Sequence, residues 1–424
     1  MKAVITPHAL SGCVDSVISS KSQAHRVLIC AALANAPTHI ICNSTSKDVH
    51  ATARCIKALG ADAVYTDGAI DVAPIASDSA HRGALLDCGE SGSTLRFMLP
   101  LVGALGIECA FTGQGLLASR PLSPLYEQLT AHGMSISQPG TFPLKCSGKL
   151  QPGRYKIEGN ISSQFITGLL MALPLLSGDS DICVIGRLES CPYVNMTLDV
   201  LKQFGIRVSE NEQGFHVPGN QRPQTPGNLT IEGDWSNAAF WLTAGALGGS
   251  GIECAPLRYG SSQGDRAIVD ILVHMGAHID QSDSYVRAVH ADLHSIDIDA
   301  GDIPDLVPIV SVAAGAAIGD SHIRGVRRLR LKESDRILSI SEMLSALGVK
   351  TDVYNDMLVI HGRGGFTGGT VNSFNDHRIV MAAAVAASIA EDRVTILDAQ
   401  ASDKSYPGFF NCFRSLGGCV EEVL

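Results

Sequence analysis

Ala58-Leu59-Gly60-Ala61-Asp62-Ala63-Val64 ends a helical run on a glycine and turns at once into a strand. The same turn recurs as AHGMSIS (131–137), QFGIRVS (203–209), HMGAHID (274–280) and ALGVKTD (346–352), and Gly417 closes a sixth copy. The gaps between Gly60, Gly133, Gly205, Gly276, Gly348 and Gly417 are 73, 72, 71, 72 and 69 residues. A period near 70 exceeds the roughly 20–50 residues of the common solenoids. It suits a βαβαββ unit copied six times. Working outward, each copy opens on a polar patch, at Ser22, Ser91, Ser162, Ser236, Pro304 and Asn375. A small-residue apolar run follows, such as STLRFMLPLVGAL (93–105) or DHRIVMAAAVAAS (376–388). These runs are apolar on nearly every side, which predicts buried helices. The Ser or Asn before each is expected to cap it. The second helix of each copy is more amphipathic, as in DVHATARCIKALG (48–60) and ESDRILSISEMLSALG (333–348). Stacked helix starts would make an anion site.

Length and composition bound the answer. At about 150 residues per domain, 424 residues allow two or three domains, so six units suggest two domains of three. The Pro/Gly/Asn-rich segment Pro218–Asn228 marks the main boundary, and a lesser one lies near Val17–Ser20. The expected domains are therefore 20–231, and 1–19 together with 232–424. With 45% hydrophobic and 17% charged residues, nothing reads as disordered. A net charge of −10 argues against nucleic acid as the main partner, but not against anionic small molecules. Twelve scattered cysteines show no C-x-x-C spacing and read as buried thiols of a reducing compartment. The start, MKAVITPHAL, lacks a signal-peptide apolar stretch, and the apolar runs Ile309–Ile318 and Ile379–Ala390 are too short to span a bilayer. A cytoplasmic protein with no membrane partner is expected, acting as a monomer.

Several charged stretches could carry chemistry. RLRLKESDRILSI (328–340) is the densest. Read as one helix, it places Lys332 and Arg336 on one face at i and i+4, with Glu333 beside Lys332; alone it would serve equally as a solvated surface helix. SKSQAHR (20–26) sets Lys21 and Ser22 at a helix start and Arg26 one turn in, a pattern that suits a carboxylate or phosphate. GESGSTLRF (89–97) offers Gly92 for close approach of a ligand to the backbone, with Ser91 and Ser93 as donors. SSQF (162–165) is another hydroxyl-rich start, or an ordinary cap. NDHRI (375–379) puts Asp376, His377 and Arg378 before a buried helix, where charges need partners. GQGLLASRP (113–121) fits a dinucleotide fingerprint nominally, but no acid follows at the required distance. No metal site is indicated. Lys21, Arg26, Arg96, Arg120, Lys332, Arg336, Arg378 and Lys404 all fall near unit openings or in adjacent loops, which points to a multiply anionic ligand.

Together SKSQAHR, GESGSTLRF, RPLSPL, SSQFITGLLMALP, IPDL, RLKESDR, NDHRI and DKSYPGFF resemble, in order and spacing, the 5-enolpyruvylshikimate-3-phosphate synthase family over essentially the whole chain. The resemblance implies an α/β fold of two inverse α/β barrel domains, each of three βαβαββ units, with the active site in the cleft between them. It implies transfer of the enolpyruvyl group of phosphoenolpyruvate to the 5-hydroxyl of shikimate 3-phosphate, with no cofactor and no metal, in a family that is the target of glyphosate. Carried over by motif, Ser22 and Arg26 would hold the shikimate carboxylate. Ser162, Ser163 and Ser190 would hold its phosphate, with Tyr193 nearby and Gln164 against the ring. Lys21, Gly92, Arg120, Arg336, Arg378 and Lys404 would hold phosphoenolpyruvate. Asp305 and Lys332 would contact the reacting hydroxyl, and Glu333 would move the proton at the methylene carbon. Arg328 and His377 are further candidates. Glu90 and Arg328 stand where family members often carry Asn. The related transferase acting on UDP-N-acetylglucosamine normally has a reactive Cys in the loop before Arg120; here that loop reads FTGQGLLASRP (111–121) and has none. A non-catalytic scaffold would explain the period but not the grouping of Asp305, Lys332, Glu333 and the cations.

Overall fold

The computed structural model describes residues 1–76 and 83–423. The chain divides into two units: Lys21–Ile231, and Met1–Ser20 joined with Glu232–Leu424. Six four-stranded sheets are shared between them, three in each. Every sheet is built alike. The first strand runs parallel to the second, the second antiparallel to the fourth, and the fourth antiparallel to the third. A parallel neighbour requires a crossover, and in the second, third, fifth and sixth copies, where the two parallel strands follow one another in the chain, the apolar first helix supplies it.

In the unit Lys21–Ile231 the helices are α1 (Lys21–Ala32), α2 (Lys47–Ala58), α3 (Gly92–Leu105), α4 (Leu125–Ala131), α5 (Ser163–Ala172) and α6 (Cys191–Gln203). In the other unit they are α7 (Trp235–Leu247), α8 (Ile268–His274), α9 (Val307–Ala316), α10 (Arg336–Ala346), α11 (His377–Ser388) and α12 (Phe409–Ser415). The second helix of every copy ends at its closing glycine. All six of these glycines have positive φ, between 73° and 103°. After α2, Gly60 N donates to Lys57 O and Ala61 N to Ile56 O, the paired bonds that finish a helix through a left-handed residue. The same two bonds close α6, α8, α10 and α12. A side chain in place of the glycine would strain that backbone, which is why the glycine marks the repeat.

Three copies are completed from far along the chain. Strand Asn228–Thr230 joins the sheet of the first copy beside Thr38–Ile41, and Ser11–Val14 joins that of the fourth beside Gly251–Cys254. Lys2–Thr6 sits inside the last sheet, between Val394–Leu397 and Cys419–Val423. The Pro218–Asn228 segment is held to Lys21–Ile231: Arg222 donates to the carbonyls of Leu33 and Ala34, and Thr225 N to Asn35 Oδ1.

The first helices are buried as their composition predicts. All twelve residues of α11 are buried, and α7, α9 and α11 pack on one another. Alanines let these backbones approach, while Ile379, Val380, Met381 and Val385 each bury a side chain worth about 1.5–3 kcal/mol. The caps depart from expectation in the second half. Ser91 and Ser162 do cap α3 and α5. However, α7 is capped by Asp234 rather than Ser236, α11 by Asp376 rather than Asn375, and α9 has no side-chain cap. A carboxylate accepts from the helix N–H groups more strongly than an amide. All twelve cysteines are free thiols; seven are buried, but Cys13 and Cys419 are exposed, unlike the buried thiols expected. No helix among the described residues is long and apolar enough to cross a membrane.

Candidate functional site

The candidate residues fall into one set per unit. Within Lys21–Ile231, helix starts supply them. Lys21 opens α1 and pairs with Asp48 of α2 at 3.1 Å. Arg26, one turn on, is 3% exposed. Its Nε donates to Thr197 Oγ1 at 2.8 Å, Nη1 to Ser22 O at 2.7 Å, and Nη2 to Tyr193 O at 2.9 Å and Thr167 Oγ1 at 3.3 Å. These bonds tie α1 to α5 and α6. Every one goes to a neutral oxygen, so the guanidinium is buried with no carboxylate bonded to it among the described residues, and burial lowers its pKa to about 10. Four of its five N–H groups are thus engaged, leaving one on Nη1.

Ser162 caps α5 through Gln164 N, and Ser163 is its first residue. Gln164 is held from both ends: its Oε1 accepts from Arg96 Nη1 at 2.7 Å and its Nε2 donates to Ser93 Oγ at 2.9 Å. Arg96 also donates to Pro121 O, which anchors the segment carrying Arg120. Ser190 stands at the start of α6 in a left-handed conformation, φ 58°, without capping the helix with its side chain. Tyr193 lies in the first turn of α6.

Gly92 opens α3 and meets Arg120 directly. A Cβ built there would lie 2.6 Å from Arg120 Nη1. The sequence reading placed a ligand against this backbone; the first neighbour of an added methyl is Arg120. Gly92→Ala is therefore expected to fold normally, since a guanidinium at the end of a flexible side chain can move. Displacing Arg120 is expected to raise the phosphoenolpyruvate KM far more than that for shikimate 3-phosphate. Equal changes in steady-state kinetics would remove both residues from that ligand's site.

In the other unit the charged residues form a single network. Asp305, just before α9, accepts at Oδ1 from Arg336 Nη1 (2.7 Å) and Lys332 Nζ (3.3 Å), and at Oδ2 from Arg378 Nη2 (3.1 Å). Arg336, 1% exposed, donates Nε to Asp376 Oδ2 at 2.8 Å and Nη2 to Glu333 Oε2 at 2.6 Å. Asp376 also accepts from Ser334 Oγ and from Arg378 N. Lys404 donates to Asn375 O at 2.7 Å, next to this cap. Three carboxylates, Asp305, Glu333 and Asp376, thus face three cations, Lys332, Arg336 and Arg378. These three cations are balanced by acids, because buried charge requires a partner.

Two expectations change here. Lys332 and Arg336 do not share a helix face. The helix begins at Arg336, capped by Asp335, and Lys332 lies in the bend before it. Asp305, rather than helical spacing, brings the two together. Glu333 has a second cation besides Lys332: its Oε2 accepts from Arg336 Nη2, while its charge also acts on Lys332. The Lys332 pKa is lowered by burial and by the Arg336 and Arg328 charges, against the pull of Asp305 and Glu333. Arg328 is buried and donates to Gly301 O at 2.7 Å. His377 is buried at the first turn of α11, its Nδ1 3.8 Å from Asp376 Oδ1. Asp376 was legible only as a charge needing a partner, and its partner lies 40 residues away. Asp265 went unread: it is buried beside Ser236, and desolvation together with the nearby Asp305 charge raises its pKa to about 6. Among the described residues no group of three or more His, Cys, Asp or Glu side chains is placed to hold a metal ion.

Comparison with solved structures gives the class. The fold matches the EPSP synthase from Acinetobacter baumannii with a TM-score of 0.82, 21% identity and full coverage of both chains. It matches the enolpyruvyl transferase NikO from Streptomyces tendae with a TM-score of 0.80 and 19% identity over 99% of this chain and 98% of that one. At such identities these structures speak for the fold, that of the enolpyruvyl transferases. The family model for EPSP synthase (3-phosphoshikimate 1-carboxyvinyltransferase) matches residues 4–413. A 3-phosphoshikimate 1-carboxyvinyltransferase from Clostridium kluyveri is 40% identical over 420 residues, 99% of this chain and 98% of the relative. One from Clostridioides difficile is 37% identical over 430 residues, with the same coverage. The chain belongs to the EPSP synthase family.

Proposed function

We propose that the two sets of residues serve the two substrates of one reaction. The chain transfers the enolpyruvyl group of phosphoenolpyruvate to shikimate 3-phosphate, a step of the shikimate pathway toward aromatic amino acids. It does so in the cytoplasm and as a monomer. The observation that carries the assignment of residues is Arg26, a buried guanidinium with only neutral protein partners and one N–H left to give. A carboxylate ligand supplies the missing charge. Shikimate 3-phosphate places its carboxylate there and on Ser22, and its phosphate on Ser162, Ser163 and Ser190, with Tyr193 beside it and Gln164 along its ring. Phosphoenolpyruvate is held by Lys21, Gly92, Arg120, Gln164, Arg336, Arg378 and Lys404.

The chemistry follows from the charges. Protonation of the methylene carbon by Glu333 makes C2 electrophilic, and the 5-hydroxyl attacks it. Asp305 and Lys332 contact that hydroxyl as it reacts: the Asp305 carboxylate accepts its proton, and the Lys332 ammonium, bonded to Asp305, offsets the developing charge. The tetrahedral ketal then loses phosphate, and a methyl proton returns to Glu333. Arg336, with four of its five N–H groups on carboxylates, fixes Glu333 and Asp305 while anchored on Asp376.

Release of phosphate from shikimate 3-phosphate plus phosphoenolpyruvate tests the activity. Calorimetry tests the division of ligands. Arg26→Ala is expected to weaken mainly shikimate 3-phosphate and Lys404→Ala mainly phosphoenolpyruvate, each by about 2–5 kcal/mol, as for other buried charge-assisted contacts. The reverse pattern would show the assignment to be wrong.

A further inference from the structure

Four side chains with no assigned ligand form a buried chain from α1 to the start of α3. His25 Nδ1 lies 2.7 Å from Thr52 Oγ1, and Thr52 Oγ1 lies 2.8 Å from Thr94 Oγ1. Thr94 Oγ1 donates to Ser91 Oγ at 2.9 Å, and Thr94 N donates to the same oxygen at 3.2 Å. None of the four residues is more than 1% exposed.

The direction of the chain can be deduced. A hydroxyl has one proton to give and two lone pairs to fill. Thr94 gives its proton to Ser91, so it accepts from Thr52. Thr52 has then used its proton, so it accepts from His25. His25 therefore carries its proton on Nδ1. The ring stays uncharged, since burial first, and then the Lys21 and Arg26 charges, push its pKa well below the ordinary value. Its Nε2 is buried with no hydrogen-bond partner among the described residues, where a proton would be an unsatisfied donor. At the far end both lone pairs of Ser91 Oγ are filled, which holds the cap of α3.

We propose that His25, as its Nδ1–H tautomer, is a positioning residue: a one-way relay from His25 through Thr52 and Thr94 fixes the Ser91 cap and the Gly92 backbone against Arg120, and ties them to the helix bearing Lys21, Ser22 and Arg26. The identity of the ligand affected, phosphoenolpyruvate, rests on the function proposed above.

Thr52→Val and Thr94→Val break the relay with little change of shape and leave α1 intact. Each is expected to raise the phosphoenolpyruvate KM about fivefold to thirtyfold, the effect of one buried hydrogen-bond partner lost. The shikimate 3-phosphate KM should stay unchanged within error, and the double variant should be no worse than the worse single one. His25→Asn, whose Nδ2–H can replace Nδ1–H, retains the wild-type KM; His25→Phe loses it. A merely structural role would lower stability without splitting the two KM values. Nitrogen-15 NMR of the wild-type imidazole gives an independent readout. The proton is expected on Nδ1, with the ring neutral at pH 7. A proton on Nε2, a ring charged at pH 7, or a phosphoenolpyruvate KM unmoved by both valines would overturn the proposal. If the wild-type protein turned over neither substrate, the function reading would fail instead, and the imidazole measurement would decide the relay by itself.

Discussion

Glu333→Gln is expected to cut turnover by about 10²–10⁴, the usual consequence of removing a general acid–base group. The amide can still accept from Arg336 Nη2, which lies 2.6 Å from Oε2, so the local fold should survive. Shikimate 3-phosphate binding should be nearly intact, because the residues proposed for its carboxylate and phosphate all lie in Lys21–Ile231. Exchange of solvent deuterium into the methylene carbon should fall together with turnover. A Gln variant with near-normal turnover would assign the proton transfer to Lys332 or His377. The structure sharpens this test: since Arg336 holds the carboxylate, Arg336→Lys should also lower turnover, by letting Glu333 move.

Asp376→Ala is expected to destabilise its unit by about 3–5 kcal/mol, the cost of leaving one member of a buried ion pair behind. Asp376 is fully buried, and it holds Arg336 Nε while also capping α11. Urea unfolding would measure the loss. A change below about 1 kcal/mol, within the range of a lost cap alone, would mean that Asp305 and Glu333 suffice to keep the guanidinium in place.

Much of the fold could be read from the chain because one local requirement recurs. Each second helix ends through a left-handed residue, and only glycine adopts that conformation without strain, so Gly60 and its five counterparts record the period directly. The site was legible where side chains cluster in sequence, as in Ser20–Arg26 or Arg328–Ile340. It was not legible where the fold alone creates the contact. Nothing near Lys21 in sequence announces Asp48, and nothing near Arg336 announces Asp376. The error at Lys332 has a local cause: Asp335 competes for the cap position and starts α10 three residues late, a choice that i, i+4 spacing cannot reveal. The relay from His25 uses Thr52 in the middle of α2 and Thr94 in the first turn of α3, which sequence reading treats as filler. Only packing of α1, α2 and α3 makes them consecutive.

The split strands have a consequence for synthesis on the ribosome. Lys21–Ile231 is an uninterrupted stretch and can close its three sheets as soon as Asn228–Thr230 emerges. Lys2–Thr6 must wait far longer, because both of its neighbours, Val394–Leu397 and Cys419–Val423, are translated nearly 400 residues later. At about 5–20 residues per second that delay is on the order of 20–80 s. Throughout it the first strand made is an unpaired edge awaiting the last, the kind of segment that chaperones cover and that strays into aggregates when they do not.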